Sequence, residues 1–398
     1  MPFRMAEEEP VAVIKVIGVG GSGGNAINTM VENRLHGVEF IAANTDMQAL
    51  ERSRADIRLQ LGPGITKGLG AGADPEKGRD AAQESYEDIR KSLEGADMVF
   101  ITAGLGGGTG TGAAPVIAKI SKESGTLTVG VVTKPFYFEA KARMRNADKG
   151  WEELKKHVDT IITVPNDRLL SLMQKSSTLV DMMQKVDSVL LQAVKGIPDL
   201  INLPGHINVD FADLKTVMRE VGPAIMGSGA AAGENRASEA AKRAIDNQLL
   251  EDVGIDGAKG ILINISATQE SLTMAEFMEA SALIQDKAHE EANIIIGALF
   301  DESLGDELRV TVIATGISGI EETETIAHID VARNRPKNEK LPAREVAEKE
   351  EEAASTNRPA STAQPNQLPR SPSMPSPIFD DREQENWDEP AYIRKKAN

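Results

Sequence analysis

The 398-residue sequence predicts an α/β protein: a Rossmann-type parallel-sheet domain, a long central helix, a smaller α+β domain with a mixed sheet, and a disordered C-terminal tail. Three observations predict it. Apolar β-like runs alternate with helical patterns from Val11 to about Val164, one unbroken helical stripe occupies Ser177 to Leu200, and beyond about Ile317 large apolar residues nearly vanish. Strict alternation of strand and helix feeds each strand through a crossover, which makes the sheet parallel and covers both of its faces.

The first strand is expected at VAVIKVI, Val11–Ile17, and leads through GVGGSGG, Gly18–Gly24, into the helical pattern that starts at Asn25. A second apolar run, VEFIAANTD, ends at Asp46. DMVFITA, Asp97–Ala103, repeats the opening unit: it leads through GLGGGTGTG, Gly104–Gly112, into AAPVIAKI. LTVGVVTKPF at Leu127–Phe136 and HVDTIITVPND at His157–Asp167 supply further strands. In the central helix Leu179, Val180, Met183, Val186, Leu190, Ala193, Val194 and Ile197 recur at spacings of three and four, so one stripe is expected to face a core, with no proline before Pro198. After the breaker LPGH come helices at about Phe211–Val221 and Ala237–Asn247, then strands GILINISAT, ANIIIGALFD and LRVTVIATG around the helix MAEFMEASALIQDKA. The short ESLGDE connection between the last two strands suggests an antiparallel or mixed sheet.

Nine of the nineteen prolines fall between Pro336 and Pro390, beside Ser, Thr, Gln and a KEEEAAS run, a composition that cannot offset its ordering entropy by burial. The resulting divisions are a disordered start at 1–10, a nucleotide domain at 11–176, the central helix at 177–200, the α+β domain at 201–317, a linker at 318–385 and a terminal peptide at 386–398. That peptide, NWDEPAYIRKKAN, restores Trp387, Tyr392 and Ile393 next to a basic end, the mixture a docking motif needs.

Composition removes several chemistries. There is no cysteine, so disulfides and thiolate catalysis or ligation are excluded. The five histidines show no ligand spacing, and His206 reads as a loop or surface residue. A net charge of −17 argues against binding nucleic acid, which relies on clustered Lys and Arg. The start, MPFRMAEEEP, lacks the basic flank and apolar core of a signal peptide, and no run approaches the ~20 apolar residues of a membrane span, so a cytoplasmic protein without membrane insertion is expected.

The two glycine loops point to a polyphosphate. Glycine lets backbone N–H groups approach phosphate oxygens, and each following helix brings a positive N-terminus. The first loop also satisfies G-x-G-x-x-G at Gly18, Gly20 and Gly23, with Asp46 available to a ribose, which keeps a dinucleotide-dependent oxidoreductase open; close strand–helix packing is the plainer explanation of either loop alone. The second loop lacks the Gly-Lys-Ser/Thr ending of a P-loop, so Thr109, Thr111 and backbone amides are expected to hold the phosphates, with Mg2+ neutralising the rest. A scaffold that binds nucleotide without hydrolysing it is a further alternative.

GLGGGTGTG, together with GVGGSGGNA, KPFYFEAKAR and NVDFADLKTVM in that separated set, resembles the signature of the FtsZ family, the bacterial cell-division GTPases related to tubulin. The resemblance covers about Val11–Ile317 and the last dozen residues. It implies a tubulin-like fold and a GTP/GDP site at Gly21, Ser22, Gly23, Gly24 and Asn25 with Gly108, Thr109 and Gly110, while Glu139 and Arg143 match residues near the ribose. It assigns Asp187 to guanine, whose N1–H and amine match a carboxylate; LVDMMQKVDS departs from the family's more usual stretch, which carries an aromatic after the first Asp. Asp210 and Asp213, three apart at a helix start, read by themselves as capping residues; the resemblance makes them, with Asn208, a catalytic group that meets the GTP of the next subunit in a head-to-tail filament. It further implies a midcell division ring and a terminal peptide, with Pro390, Tyr392, Ile393, Arg394 and Lys395, that docks membrane-anchoring and regulatory division proteins.

Overall fold

In the computed structural model the described residues are 12–171, 176–202, 210–219, 222–246 and 255–317. In chain order the elements are β1 (Ile14–Val19), α1 (Gly20–Glu32), β2 (Val38–Asn44), α2 (Met47–Glu51), β3 (Ile57–Gln60), α3 (Pro63–Thr66), α4 (Pro75–Glu84), α5 (Tyr86–Leu93), β4 (Met98–Gly104), α6 (Thr109–Glu123), β5 (Leu127–Lys134), α7 (Lys141–Lys155), β6 (Thr160–Pro165) and α8 (Asn166–Ser171). They continue as α9 (Leu179–Lys195), α10 (Pro198–Asn202), α11 (Phe211–Met218), β7 (Gly222–Ala232), α12 (Arg236–Ile245), β8 (Gly260–Ala267), α13 (Met274–Gln285), β9 (Asn293–Phe300) and β10 (Glu307–Thr315).

All ten strands share one sheet in the order β3-β2-β1-β4-β5-β6-β7-β10-β8-β9. The pairs from β3 to β7 are parallel, as alternation predicts. β10 then runs antiparallel to both β7 and β8, and β9 lies parallel to β8, so the second half is mixed. Strand β1 shows why the parallel half reads as continuous apolar sequence. Ile14 and Val16 enter a core with α1 and α9, while Ile17 and Val19 enter a second core with α4, α5, α6 and α7.

Four details depart from the sequence reading. The central helix ends at Lys195, and a separate short helix begins at Pro198. Its first turns do not face a core: Leu179 and Val180 are 61% and 63% exposed, and Met183 is exposed as well, whereas Val186, Leu190, Ala193, Val194 and Ile197 are buried as expected. The helix expected to reach Val221 stops at Met218, and strand β7 follows it. β7 is read over in the sequence because GPAIMGSGAAA has Ile225 as its one β-branched residue among glycines and alanines; it is small where α12 presses on it, a Cβ at Gly229 colliding with the Ala240 carbonyl. Finally, the ESLGDE connection does not join neighbours, since β8 lies between β9 and β10.

A charged clamp secures the second half. Buried Arg236 on α12 forks onto Glu276 of α13, at 2.6 and 3.2 Å, and donates to the carbonyls of Ser271 and Asp306. The Arg236 hydrogen bonds, helped by donors from Thr273, pull the Glu276 carboxyl down to about 2.

Candidate functional site

Strand order reverses between β1 and β4: β2 and β3 build outward on one side, β5 and β6 on the other. In an open parallel sheet this is where a crevice forms beyond the strands' carboxyl ends. Both glycine loops leave their strands there, from adjacent residues Val19 and Ala103 in the ladder. The first loop is tighter than the sequence suggested, for α1 begins at Gly20 itself, so Gly21 to Asn25 form its opening turns. Gly20 takes φ +74°, and a Cβ there would stand 3.0 Å from the Gly110 amide nitrogen, so the N-termini of α1 and α6 abut. Neither helix has a side-chain cap or an acidic residue in its first turn. Two sets of unpartnered N–H donors and two positive helix ends therefore point at one place.

The glycines divide into two kinds. Gly23 and Gly110 are required by packing, since Cβ atoms would lie 2.5 Å from the Thr102 carbonyl oxygen and 2.6 Å from that of Gly104. At Gly21, Gly24 and Gly107 a Cβ would meet nothing within 4 Å, so protein packing gives no reason for glycine, whereas close approach of a ligand to the backbone does. Ser22 stands over Gly104, between the loops. The two threonines of the second loop differ in use. Thr111 is buried and its hydroxyl accepts the Gly106 amide at 2.8 Å, so it pins the loop and is not an open phosphate contact as expected. Thr109 stands at the first position of α6, its hydroxyl 2.6 Å from that of Thr45.

Glu139 and Arg143 are brought to the same mouth, because Gly106 packs under the Arg143 backbone. They form an ion pair, and Glu139 also accepts the Phe136 amide at 3.0 Å, so its carboxylate already holds its own loop in shape. Asp167 holds that loop as well, accepting the Tyr137 amide at 2.8 Å. The helix bearing Asp187 packs along α1. Burial raises the Asp187 carboxyl to about 6. Asp46, the ribose candidate of the dinucleotide reading, instead caps α2, accepting the amides of Gln48 and Ala49. It also lines a cleft of 560 Å³ beside the first loop, together with Asn25, Asn28, Asn44 and Arg52.

The acidic pair lies elsewhere. Asp210 is the N-cap of α11, accepting the Ala212 amide at 3.0 Å, and Asp213 is exposed in the first turn. Helix α11 leads to Met218, whose carbonyl takes the hydroxyl of Thr160 at the start of β6, the sheet end opposite the glycine loops. No described contact joins either aspartate to the loops. Asn208 and the docking residues Pro390, Tyr392, Ile393, Arg394 and Lys395 lie outside the described residues.

Comparison with known proteins identifies this arrangement. Residues 13–174 match the model of the Tubulin/FtsZ family GTPase domain, and residues 222–318 match that of the FtsZ family C-terminal domain. The chain belongs to the FtsZ family. It is 49% identical over 390 residues to the cell division protein FtsZ of Pseudomonas aeruginosa, covering 97% of each chain. With FtsZ of Coxiella burnetii it shares 55% identity over 316 residues, 79% of this chain and 82% of the relative. A solved FtsZ dimer from M. jannaschii superposes with a TM-score of 0.74 at 45% identity, covering 77% of this chain and 89% of that one. As an FtsZ-family member the chain is a tubulin-like, filament-forming cell-division GTPase, it binds guanine nucleotide, and it self-associates. The dinucleotide oxidoreductase and the non-hydrolysing scaffold are thereby set aside.

Within this FtsZ-family site the structure adds a residue the sequence did not single out. Asn166 follows β6 at its carboxyl end, is 7% exposed, and its Oδ1 has no hydrogen-bond partner. A buried unpaired amide oxygen costs roughly 1–3 kcal/mol, and Asn166 adjoins Asp167, which holds the Glu139 loop. Its only sequence signal was the polar pair Asn166-Asp167 closing an apolar strand. Among the described residues no cluster of three His, Asp or Glu side chains fit to hold a metal is present, and no helix is long and apolar enough to cross a membrane.

Proposed function

We propose that GTP binds with its phosphates between the first turns of α1, at Gly21, Ser22, Gly23, Gly24 and Asn25, and the start of α6, at Gly108, Thr109 and Gly110. Glu139 and Arg143 adjoin the ribose, and the Asp187 carboxylate accepts from guanine's N1–H and amine. Adenine offers no such donor pair, so a half-buried acceptor would be left unpaired against it. Mg2+ enters with the phosphates and offsets their charge.

Hydrolysis in this reading needs two copies. Asp210 and Asp213, with Asn208 in support, orient the attacking water on the GTP of the next subunit, phosphoryl transfer depending chiefly on positioning and electrostatics. The observation that carries the proposal is the separation itself: neither helix of the cradle has an acidic residue in its first turn, and the acidic pair opens a helix that runs toward the far end of the sheet. A head-to-tail contact that does not close gives a filament, and loss of the terminal phosphate at the joint alters its stability. The filament marks the midcell division site from the cytoplasmic side. The terminal peptide 386–398 tethers it to membrane-anchoring and regulatory division proteins, many weak contacts adding up along the polymer.

Phosphate release measured across protein concentrations tests the reading. Turnover per molecule should vanish below a threshold, and Asp213→Ala should retain GTP binding while losing most turnover. Undiminished turnover in that variant, or a specific rate independent of dilution, would sink catalysis between subunits.

A further inference from the structure

Thr45 directly follows β2, is fully buried, and is where three segments of the site meet. Its hydroxyl lies 2.6 Å from that of Thr109. Its carbonyl accepts the Gly70 amide at 3.1 Å and the Thr66 hydroxyl at 3.3 Å, the latter shared with the Gly62 carbonyl at 2.9 Å. The next residues continue the seam: Asp46 bridges Leu69, and the Met47 amide donates to the Gly68 carbonyl at 3.0 Å. The loop from Gly62 to Gly72 is closed from its other end by the Gly108 amide, which donates to the Gly72 carbonyl at 2.9 Å. This loop carries Ile65 and Leu69, 41% and 85% exposed, out to the surface.

Proton accounting gives the pair a direction. Each hydroxyl has one hydrogen, so in a 2.6 Å contact one donates and the other accepts. The Thr45 hydroxyl has Thr109 as its hydrogen-bond partner and sits in the core, whereas Thr109 faces the crevice at the first turn of α6. If Thr45 donates, both groups are satisfied and the Thr109 hydrogen is left to point at an anion; the reverse order would leave the buried Thr45 hydrogen without a described acceptor and consume the hydrogen that Thr109 can offer.

We infer that Thr45 is a positioning residue: it donates to Thr109, holds that hydroxyl's hydrogen on the terminal phosphate, and transmits occupancy of this contact through its carbonyl to the Gly62–Gly72 loop. The inference rests on the proposed placement of phosphate at the second glycine loop. A hydrogen bond to a charged phosphate is worth about tenfold or more in affinity, and Thr45 governs it without touching the ligand.

Four single variants of the full chain, Thr45→Val, Thr45→Ser, Thr66→Val and Thr109→Val, separate the possibilities. The readouts are equilibrium binding of GDP and of a non-hydrolysable GTP analogue, and amide hydrogen exchange of residues 62–72 with each ligand. Thr45→Val should lose about tenfold in affinity for the analogue with GDP affinity within about threefold, Thr45→Ser should restore it, and the exchange difference between the two ligands should disappear in both Thr45→Val and Thr66→Val. Analogue affinity at the unmodified level in Thr45→Val, while Thr109→Val is weakened, overturns the role of Thr45 and leaves the cradle standing. Unaltered binding in Thr109→Val overturns the cradle reading instead. Should Thr45→Val not fold, Thr45→Ser and Thr66→Val decide: the exchange difference must survive in the first and be lost in the second, and any other result refutes the coupling.

Discussion

At Asp187, the proposed guanine acceptor, the cost of burial is visible in a single carboxyl. Burial lifts it from the ordinary 3.8 to about 6, so between those values the folded protein holds a proton that the unfolded chain releases. Stability therefore falls as pH rises through that window, and above it the buried charge is a net expense. Asp187→Asn should stabilise the nucleotide-free protein at pH 7.5 by about 1 kcal/mol after allowing for partial solvent screening, seen as a higher melting temperature, and give no gain near pH 4. The same variant should lose guanine nucleotide affinity. Thermal melts with equal gains at both pH values would contradict this account. A second local expense sits at Ala140, which holds φ 94° and ψ 144° between the Glu139 loop and α7, a conformation suited to glycine. Relief of such strain outweighs glycine's extra unfolded-state entropy, so Ala140→Gly should stabilise by about 1 kcal/mol in denaturant titration. Of these residues Asp187 was singled out through family resemblance, but Ala140 was not, because an alanine gives no hint of its φ.

Helix α9 shows what periodicity conveys about an element and what it omits. The three-and-four spacing correctly marks a helix with one apolar stripe, but spacing is a property of the segment, and cover is a property of its neighbours. Val186 to Val194 lie against the sheet and α1, and Leu179, Val180 and Met183 project into the open. Leu190→Ala should cost about 2–5 kcal/mol, the usual range for a deleted buried leucine. Val180→Ser should stay within about 0.5 kcal/mol, as surface changes do. Chemical denaturation of the two variants checks the contrast, and comparable losses would mean that the first turns are covered after all. Strand β7 teaches the complementary lesson. Its small residues are dictated by the close approach of α12, a tertiary demand that removes the usual β signal from the sequence.

At the scale of the molecule, one sheet carries a nucleotide cradle in its parallel half and continues into a mixed half, with the acidic helix start leading into the strand that joins them. In the proposed filament the subunit is incomplete alone and complete in a row. The proposed docking role of the terminal peptide belongs to the same scale, since weak contacts gain strength when repeated along a polymer. Deleting 386–398 should leave GTPase activity and filament mass in sedimentation unchanged and abolish recruitment to adaptor-bearing vesicles; recruitment at the full level would remove the docking role.

The sequence by itself determined the parallel half, the two glycine loops and the family, because each rests on local chemistry: alternating apolar runs, glycine-rich turns between strand and helix, and signature strings. Only the tertiary structure decided which glycines serve packing and which leave room for a ligand, that Thr111 closes its loop while Thr109 meets Thr45, and that Asn166 is buried with its Oδ1 unpaired. Those outcomes depend on which strands become neighbours, and hydrogen bonds and buried surfaces between segments dozens of residues apart leave no periodic trace along the chain.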